Sequence, residues 1–358
     1  MKVAVLGSGN GGCGVAFDWA QHGHEVRLFD FDEFPANVEA VAANGGIRST
    51  GQLEGWAETV YAGHDIARAL EGADLVFAVG PAYSTEPIAA AAAPHLRPGQ
   101  RIVICPSACA GSLVFKRALG LSHEDSTYNI GETSTLPYAV RVTDPGTIHV
   151  FLKLRAGLLV AAAPRSGTAA LQQTLQDVYP GIASARSVLQ TTLQNGNPVI
   201  HPAVTLLNAA LIERTGGAFD FYEDGITDAV GRLIENVDRE RLALAAELGL
   251  TLYSEPTIGV IQGYMEQENY TTGYSTAPGF RGIRAQGRLD NRYLTEDVGY
   301  SMVFLVDLAR QLGVPTPVMD AVIEIASVVL ARNFRGEQKR TMATLGLSGY
   351  SREQLCEL

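Results

Sequence analysis

His201 stands between two prolines in the run Asn195-Gly196-Asn197-Pro198-Val199-Ile200-His201-Pro202. An imidazole takes and gives a proton near neutral pH, so it suits general acid–base work. A proline disfavours helix at the residue before it. His201 is therefore expected at the mouth of a helix spanning 202–213, where the positive dipole end favours neutral imidazole. A helix-capping or core histidine would show the same pattern. Of the seven histidines, His22, His24, His64, His95 and His123 lie in polar or helical surroundings, and His149 lies in a strand.

A second constellation is Asp290-Asn291-Arg292-Tyr293-Leu294-Thr295-Glu296-Asp297-Val298. Arg292 and Asp297 flank an expected helix start at Thr295, a candidate N-cap. A guanidinium can grip a carboxylate in bidentate fashion. Asp297 can accept the second imidazole N–H and raise the basicity of His201. A solvated helix start also favours acids, and that is the default for Glu296. In Gly131-Glu132-Thr133-Ser134, after a strand, Glu132 can receive a cationic group or serve as a turn acid. The four cysteines, Cys13, Cys105, Cys109 and Cys356, make no CxxC pair with nearby histidines. No metal and no structural disulfide are expected.

These residues need a scaffold, and the N-terminus supplies the clearest part of it. Val3–Leu6 reads as a strand, Gly7-Ser8-Gly9-Asn10-Gly11-Gly12 as a turn, and 13–21 as a helix. Residues 25–29 make a second strand, ending at Asp30, 18 positions after Gly12. This is the dinucleotide-binding arrangement. Gly7 permits the tight turn, Gly9 lets backbone approach a pyrophosphate, and Gly12 lets helix lie on strand. Free N–H groups at the helix start face the phosphates. Asp30 can accept from the ribose hydroxyls and would repel a 2′-phosphate, so NAD is expected over NADP. Arg27 points the other way but sits within the strand. A glycine turn without a ligand would leave Asp30 unexplained.

Further strands are expected at 75–79 and 101–105. Gly80-Pro81-Ala82 ends the first of these where ligands of open α/β sheets bind, so Pro81 and Ala82 join the cofactor candidates. Residues 47–63 look like a small strand pair. Residues 128–163 look like a partly antiparallel far half of the sheet. Beyond Ser187 the segments 189–195, 202–213, 226–248, 257–266, 295–312 and 317–331 read as helices, with 269–292 as a loop. The expected fold is α/β: a Rossmann-type, doubly wound, mainly parallel sheet domain over 1–186, then an all-helical domain over 187–358. A short hinge is expected to leave a substrate cleft between them.

Hydrophobic residues make up 46% and charged residues 18% of the 358, which suits a globular chain with ample core. The net charge of −11 argues against nucleic acid and anionic membrane as partners. No apolar run is long enough to cross a bilayer, and the chain enters a strand at once. A cytoplasmic location is expected.

The pieces GSGNGG, GETSTLPYAVR (131–141), NPVIHPAVTLLNA (197–209), RYLTEDV (292–298) and VPTPVMDAV (314–322) together resemble the opine dehydrogenase family over nearly the whole chain. HPxxTLLNA with RYxxEDV is far more specific than the glycine turn. The resemblance implies NAD(P)H-dependent condensation of an L-amino acid with a 2-oxo acid, commonly pyruvate. It makes His201 the acid/base, Asp297 its dyad partner and Arg292 the carboxylate binder. Glu132 and Thr133 would help hold the amino acid. A homodimer is a family-level expectation. Two other readings are a 2-hydroxy acid or ketopantoate-type dehydrogenase, which would want a lysine, and a non-catalytic NAD sensor. Lys116, Lys153 and Lys339 are not placed convincingly for the former.

Overall fold

A computed structural model describes residues 1–358. The chain forms two compact units, Met1–Thr191 with Leu358, and Thr192–Glu357.

The first unit begins with β1 (Lys2–Leu6), α1 (Asn10–Gln21), β2 (Glu25–Phe29) and α2 (Pro35–Asn44). Then come β3 (Gly46–Gly51), β4 (Gly55–Glu58), β5 (Tyr61–Gly63), α3 (Ile66–Leu70) and β6 (Leu75–Ala78). Next are α4 (Thr85–Ala92), β7 (Arg101–Ile104), α5 (Gly111–Ala118) and β8 (Asn129–Thr133). The unit continues through β9 (Tyr138–Asp144), β10 (Thr147–Lys153), β11 (Leu158–Ala163), α6 (Thr168–Leu175) and β12 (Ile182–Ser184). α7 (Val188–Leu193) carries the chain onward.

Eight strands form the main sheet in the order β12-β11-β8-β7-β6-β1-β2-β5. All its pairs are parallel except β8 with β11. This is the expected Rossmann-type sheet. β1 alternates between two cores, Val3 and Val5 on one face and Ala4 and Leu6 on the other. The order reverses between β1 and β6, so the glycine turn after β1 and Gly80 after β6 flank the switch point, where such sheets bind ligands.

Residues 128–163 depart from the expectation of a single sheet. β9 and β10 pair with β3 and β4 in a separate four-stranded sheet. Burial explains the split. β8 and β11 are buried nearly throughout, as central strands are, whereas β9 and β10 alternate buried with partly exposed. The buried face of the second sheet packs on α1, which is therefore enclosed from Gly12 to Trp19. Asp18 is buried there, accepting from the Tyr138 hydroxyl and Lys153 Nζ, each at 2.7 Å.

The division between units falls within α7, not at the expected 186/187. Val188 N donates to Leu358 O at 3.0 Å, and the Thr191 hydroxyl donates to Glu132 at 2.7 Å, so the start of α7 belongs to the first unit.

The second unit is helical: α8 (Asn197–Leu207), α9 (Ala209–Thr215), α10 (Asp228–Glu247), α11 (Glu255–Gln262) and α12 (Thr272–Ser275). α13 (Arg292–Thr295) leads into a π-helical turn at Asp297–Met302, then α14 (Val303–Leu312), α15 (Pro317–Val329), α16 (Phe334–Glu337) and α17 (Arg352–Cys356). α8 packs against α10, α13, α15 and the π turn. α10 presents Val230, Ile234, Val237 and Leu244 at helical spacing, with buried Arg241 paired to Asp238 at 2.6 Å.

Three helix starts differ from expectation. α1 begins at Asn10 rather than at residue 13, so Asn10, Gly11 and Gly12 form its first turn instead of the preceding loop. α8 begins at Asn197 and runs through Pro202, so His201 lies inside the helix rather than at its mouth. Pro198 sits in the first turn, the Asn195 side chain accepts from Asn197 N at 3.0 Å, and every residue from Pro198 to Thr205 is buried. That packing outweighs the local preference against helix before Pro202. α13 begins at Arg292 under the side chain of Asn291, which accepts from Tyr293 N at 2.9 Å, so Asn291 and not Thr295 is the cap. No helix is long and apolar enough to cross a membrane. All four cysteines are free and buried.

Candidate active site

The glycine turn is built as a cradle. Gly7 has φ +118°, and a Cβ there would stand 2.1 Å from Val79 O. A Cβ on Gly12 would stand 1.7 Å from Gly7 O, so α1 lies directly on the turn. A Cβ on Gly9, by contrast, would meet nothing within 4 Å. Gly9 caps α1 without a side chain, and no acid occupies the first turn. The helix start therefore offers N–H groups and its positive dipole end to an anion.

Asp30 is buried beneath this turn. Its Oδ2 accepts from Ser8 N at 2.6 Å and Ser8 Oγ at 2.7 Å, and its Oδ1 accepts from Phe31 N at 2.9 Å. Asn10 uses its side-chain oxygen to receive Val142 N at 2.7 Å, tying the cradle to the second sheet. Pro81 and Ala82 follow β6 on the other side of the switch point, where the Ser84 hydroxyl donates to Pro81 O at 2.8 Å. The open face at Gly9, the uncapped helix and the carboxylate at the end of β2 fit a dinucleotide.

Glu132 lies in β8, not in a turn, and is fully buried. Its Oε2 accepts from Ser112 N at 2.9 Å and Ser112 Oγ at 2.6 Å, and its Oε1 accepts from the Thr191 hydroxyl. Thr133 ends the same strand and donates from Oγ1 to Thr135 O at 3.0 Å.

In the second unit α8 and the π turn bring His201 and Asp297 together. Nδ1 of His201 stands 2.8 Å from Oδ2 of Asp297, and both side chains are buried. The imidazole is stacked on Tyr293 with ring centres 3.9 Å apart, and Phe221 meets it edge-on at 6.0 Å. Nε2 stands 3.2 Å from the Tyr222 hydroxyl. Burial pushes the Asp297 carboxyl up to about 7, with the Arg292 charge pulling it down. Arg292 is half exposed and reaches Glu296 at 3.3 Å, one turn on.

The π turn places Asp297. Both Tyr300 N and Ser301 N donate to Glu296 O, at 2.9 and 3.2 Å, which widens the helix by one residue. Sequence reasoning anticipated the His201, Asp297 and Arg292 grouping but missed Tyr222 and the stacking role of Tyr293. Tyr293 was within the RYLTEDV run. Tyr222 lies in Phe219-Asp220-Phe221-Tyr222-Glu223, where only the aromatic density hints at packing.

A glycine cradle at the switch point of a doubly wound sheet, followed by a helical unit carrying a buried His–Asp pair, defines a nicotinamide-dependent dehydrogenase. A family model described as "NAD-dependent glycerol-3-phosphate dehydrogenase N-terminus" matches residues 2–108. One described as "NAD/NADP octopine/nopaline dehydrogenase, alpha-helical domain" matches 184–330. The chain is 36% identical to an opine dehydrogenase of Arthrobacter sp. (strain 1C) over 352 residues, covering 97% of this chain and 95% of that protein. It is 28% identical to a vitopine synthase of Allorhizobium ampelinum, covering 97% and 96%. The fold is shared with octopine dehydrogenase solved with NADH and agmatine, at TM-score 0.73 and 21% identity over 92% of this chain and 90% of that one. The chain belongs to the opine dehydrogenase family, and it is an NAD-dependent oxidoreductase.

Proposed function

We propose that this protein condenses the amino group of an L-amino acid with a 2-oxo acid, pyruvate first among them, and reduces the resulting imine to an N-(carboxyalkyl)-amino acid. The reverse oxidation follows the same path. The observation that carries this reading is the buried His201–Asp297 pair at 2.8 Å, in a chain of this family. Structures of octopine dehydrogenase with NADH and L-arginine, and with NADH and pyruvate, illustrate the substrate classes of a relative in fold.

The residues divide the work as follows. Asp297 holds Nδ1, leaving Nε2 to exchange protons. Nε2 relieves the attacking amine of a proton and returns one to the carbinolamine hydroxyl, which leaves as water. Arg292, half exposed, pairs with a substrate carboxylate. Glu132 and Thr133 keep their proposed place beside the amino acid. Because Glu132 is already receiving Ser112 and Thr191, it orients those hydroxyls rather than gripping a cation directly. Gly7, Ser8, Gly9, Asn10, Gly11 and Gly12 hold the pyrophosphate, Asp30 the ribose, and Pro81 and Ala82 border the nicotinamide side. Asp30 favours NAD, with NADP the weaker alternative. When bound, the nicotinamide supplies the hydride that reduces the cationic imine.

A lysine-based dehydrogenase reading finds no support in Lys116 or Lys153. Lys116 Nζ donates to the carbonyls of His123, Asp125 and Ala163, and Lys153 is paired with Asp18. A cytoplasmic location belongs to this proposal, in keeping with four free thiols. So does a homodimer, for which exposed Ile325, Val328 and Val329 on α15 offer an apolar face.

The test is NADH oxidation with pyruvate, with and without pooled L-amino acids. Consumption only with both substrates, abolished in His201→Asn, is the expected result. Consumption with pyruvate alone would mean a simple 2-oxo acid reductase.

A further inference from the structure

The Tyr222 hydroxyl stands 3.2 Å from His201 Nε2, the nitrogen opposite the one Asp297 holds. We propose that Tyr222 is a positioning residue for proton transfer at His201, and that Phe280 of the 269–292 loop sets where its hydroxyl stands. This rests on the dyad role given to His201 above.

Tyr222 lies in the irregular connection between α9 and α10, yet it is buried and firmly placed. Its ring stacks on Phe280 with centres 4.2 Å apart and planes at 17°. Phe280 in turn stacks with Tyr264 at 4.7 Å. Backbone bonds fasten the loop just before Tyr222: Phe221 N donates to Ile283 O at 2.8 Å and Ala285 N to Phe219 O at 3.0 Å. Gly282 N donates to the Glu223 carboxylate at 2.9 Å. The 269–292 loop is thus joined to the residue that touches the proton-carrying nitrogen.

The chemistry follows from which atoms can donate. With Nδ1–H given to Asp297, Nε2 presents a lone pair in a buried setting. A phenol donates better than it accepts, so Tyr222 favours the neutral imidazole and keeps the lone pair satisfied until a substrate group replaces it. The other ionisable groups facing the ring are Asp297, with Arg292 and Glu296 beside it, and the stacked phenol of Tyr293. α10, packed on the helix that carries His201, holds buried Arg241 between Asp238 and Glu255. Tyr222 stands on the side of the ring away from Asp297. A loop residue that shifts Phe280 therefore changes the proton affinity of His201.

Tyr222→Phe keeps the ring and its stack and removes only the hydroxyl. Two readouts apply: the NMR titration of the His201 imidazole in the ligand-free enzyme, assigned by its loss in His201→Asn, and the pH profile of kcat/KM for pyruvate with pooled L-amino acids. Both are expected to move up by about half to one pH unit in Tyr222→Phe, the reach of one hydrogen bond. Phe280→Leu should move them the same way by less, and Phe280→Tyr should leave them in place. An unmoved imidazole titration in Tyr222→Phe overturns the proposal, even if turnover falls. A wild-type enzyme without condensation activity would sink the proposed function instead, and the NMR titration would still decide the role of Tyr222.

Discussion

His201 and Asp297 are 96 positions apart in the chain, yet Nδ1 and Oδ2 meet at 2.8 Å inside the helical unit. With Asp297 ionised, the contact puts the resting imidazole proton on Nδ1. It also fixes the ring plane, together with the stacked Tyr293.

Asp297→Asn should preserve the fold and lose the chemistry. An amide can donate to Nδ1 and so stabilise the wrong tautomer. Steady-state turnover is expected to fall on the order of 10³-fold, with NADH affinity little changed. Retention of wild-type turnover would remove Asp297 from the proton-transfer group.

Gly9→Ala and Gly12→Ala should part company. The Gly9 backbone, at φ −69°, suits alanine, and its Cβ would meet no protein atom within 4 Å. Melting temperature should hold while NADH affinity drops about tenfold, or about 1.4 kcal/mol. Gly12→Ala drives a Cβ into the Gly7 carbonyl and should lower both. Calorimetry and fluorescence titration of NADH check the pair.

Glu132→Gln replaces an acceptor of several donors with a group that can accept at only one oxygen. A stability loss of about 1–3 kcal/mol is expected in denaturant unfolding. KM values for cationic and neutral L-amino acids should change in parallel. A selective loss for the cationic ones would show instead that Glu132 grips a cation.

Burial pushes the Glu255 carboxyl up to about 8, with Arg241 at 3.6 Å opposing the shift. Its folded-state value lies above its ordinary 4.5, so the folded state prefers it protonated. That contribution is complete below pH 4.5 and is lost as pH rises through 8. Glu255→Gln, which stays neutral, should therefore gain on wild type as pH rises from about 5 to 9, by a few degrees in melting temperature. A difference in melting temperature that stays flat across that range would contradict the assignment.

The strands, the glycine turn and the chemistry-bearing residues were legible because each has a local signature: Val3 to Leu6, the Gly7–Gly12 spacing, and Asp30 at the end of β2. Three features were not. The residue before Pro202 was expected outside the helix, and the burial of Pro198–Thr205, a tertiary effect, overrode that preference. The alternation in β9 and β10 marks a half-buried strand but does not say which sheet it joins. Tyr222 sits in no regular element, so no periodicity could single it out.

The π turn makes the active centre depend on residue count. Deleting one residue between Val298 and Met302 would restore an ordinary helix while keeping His201, Arg292 and Asp297. It would also remove the bulge at Glu296 that sets Asp297 relative to α14. A homologue can thus carry every residue of the motif and still be inert. Among relatives, an unbroken spacing from Arg292 through the π turn to α14 is a stricter criterion of competence than the letters themselves.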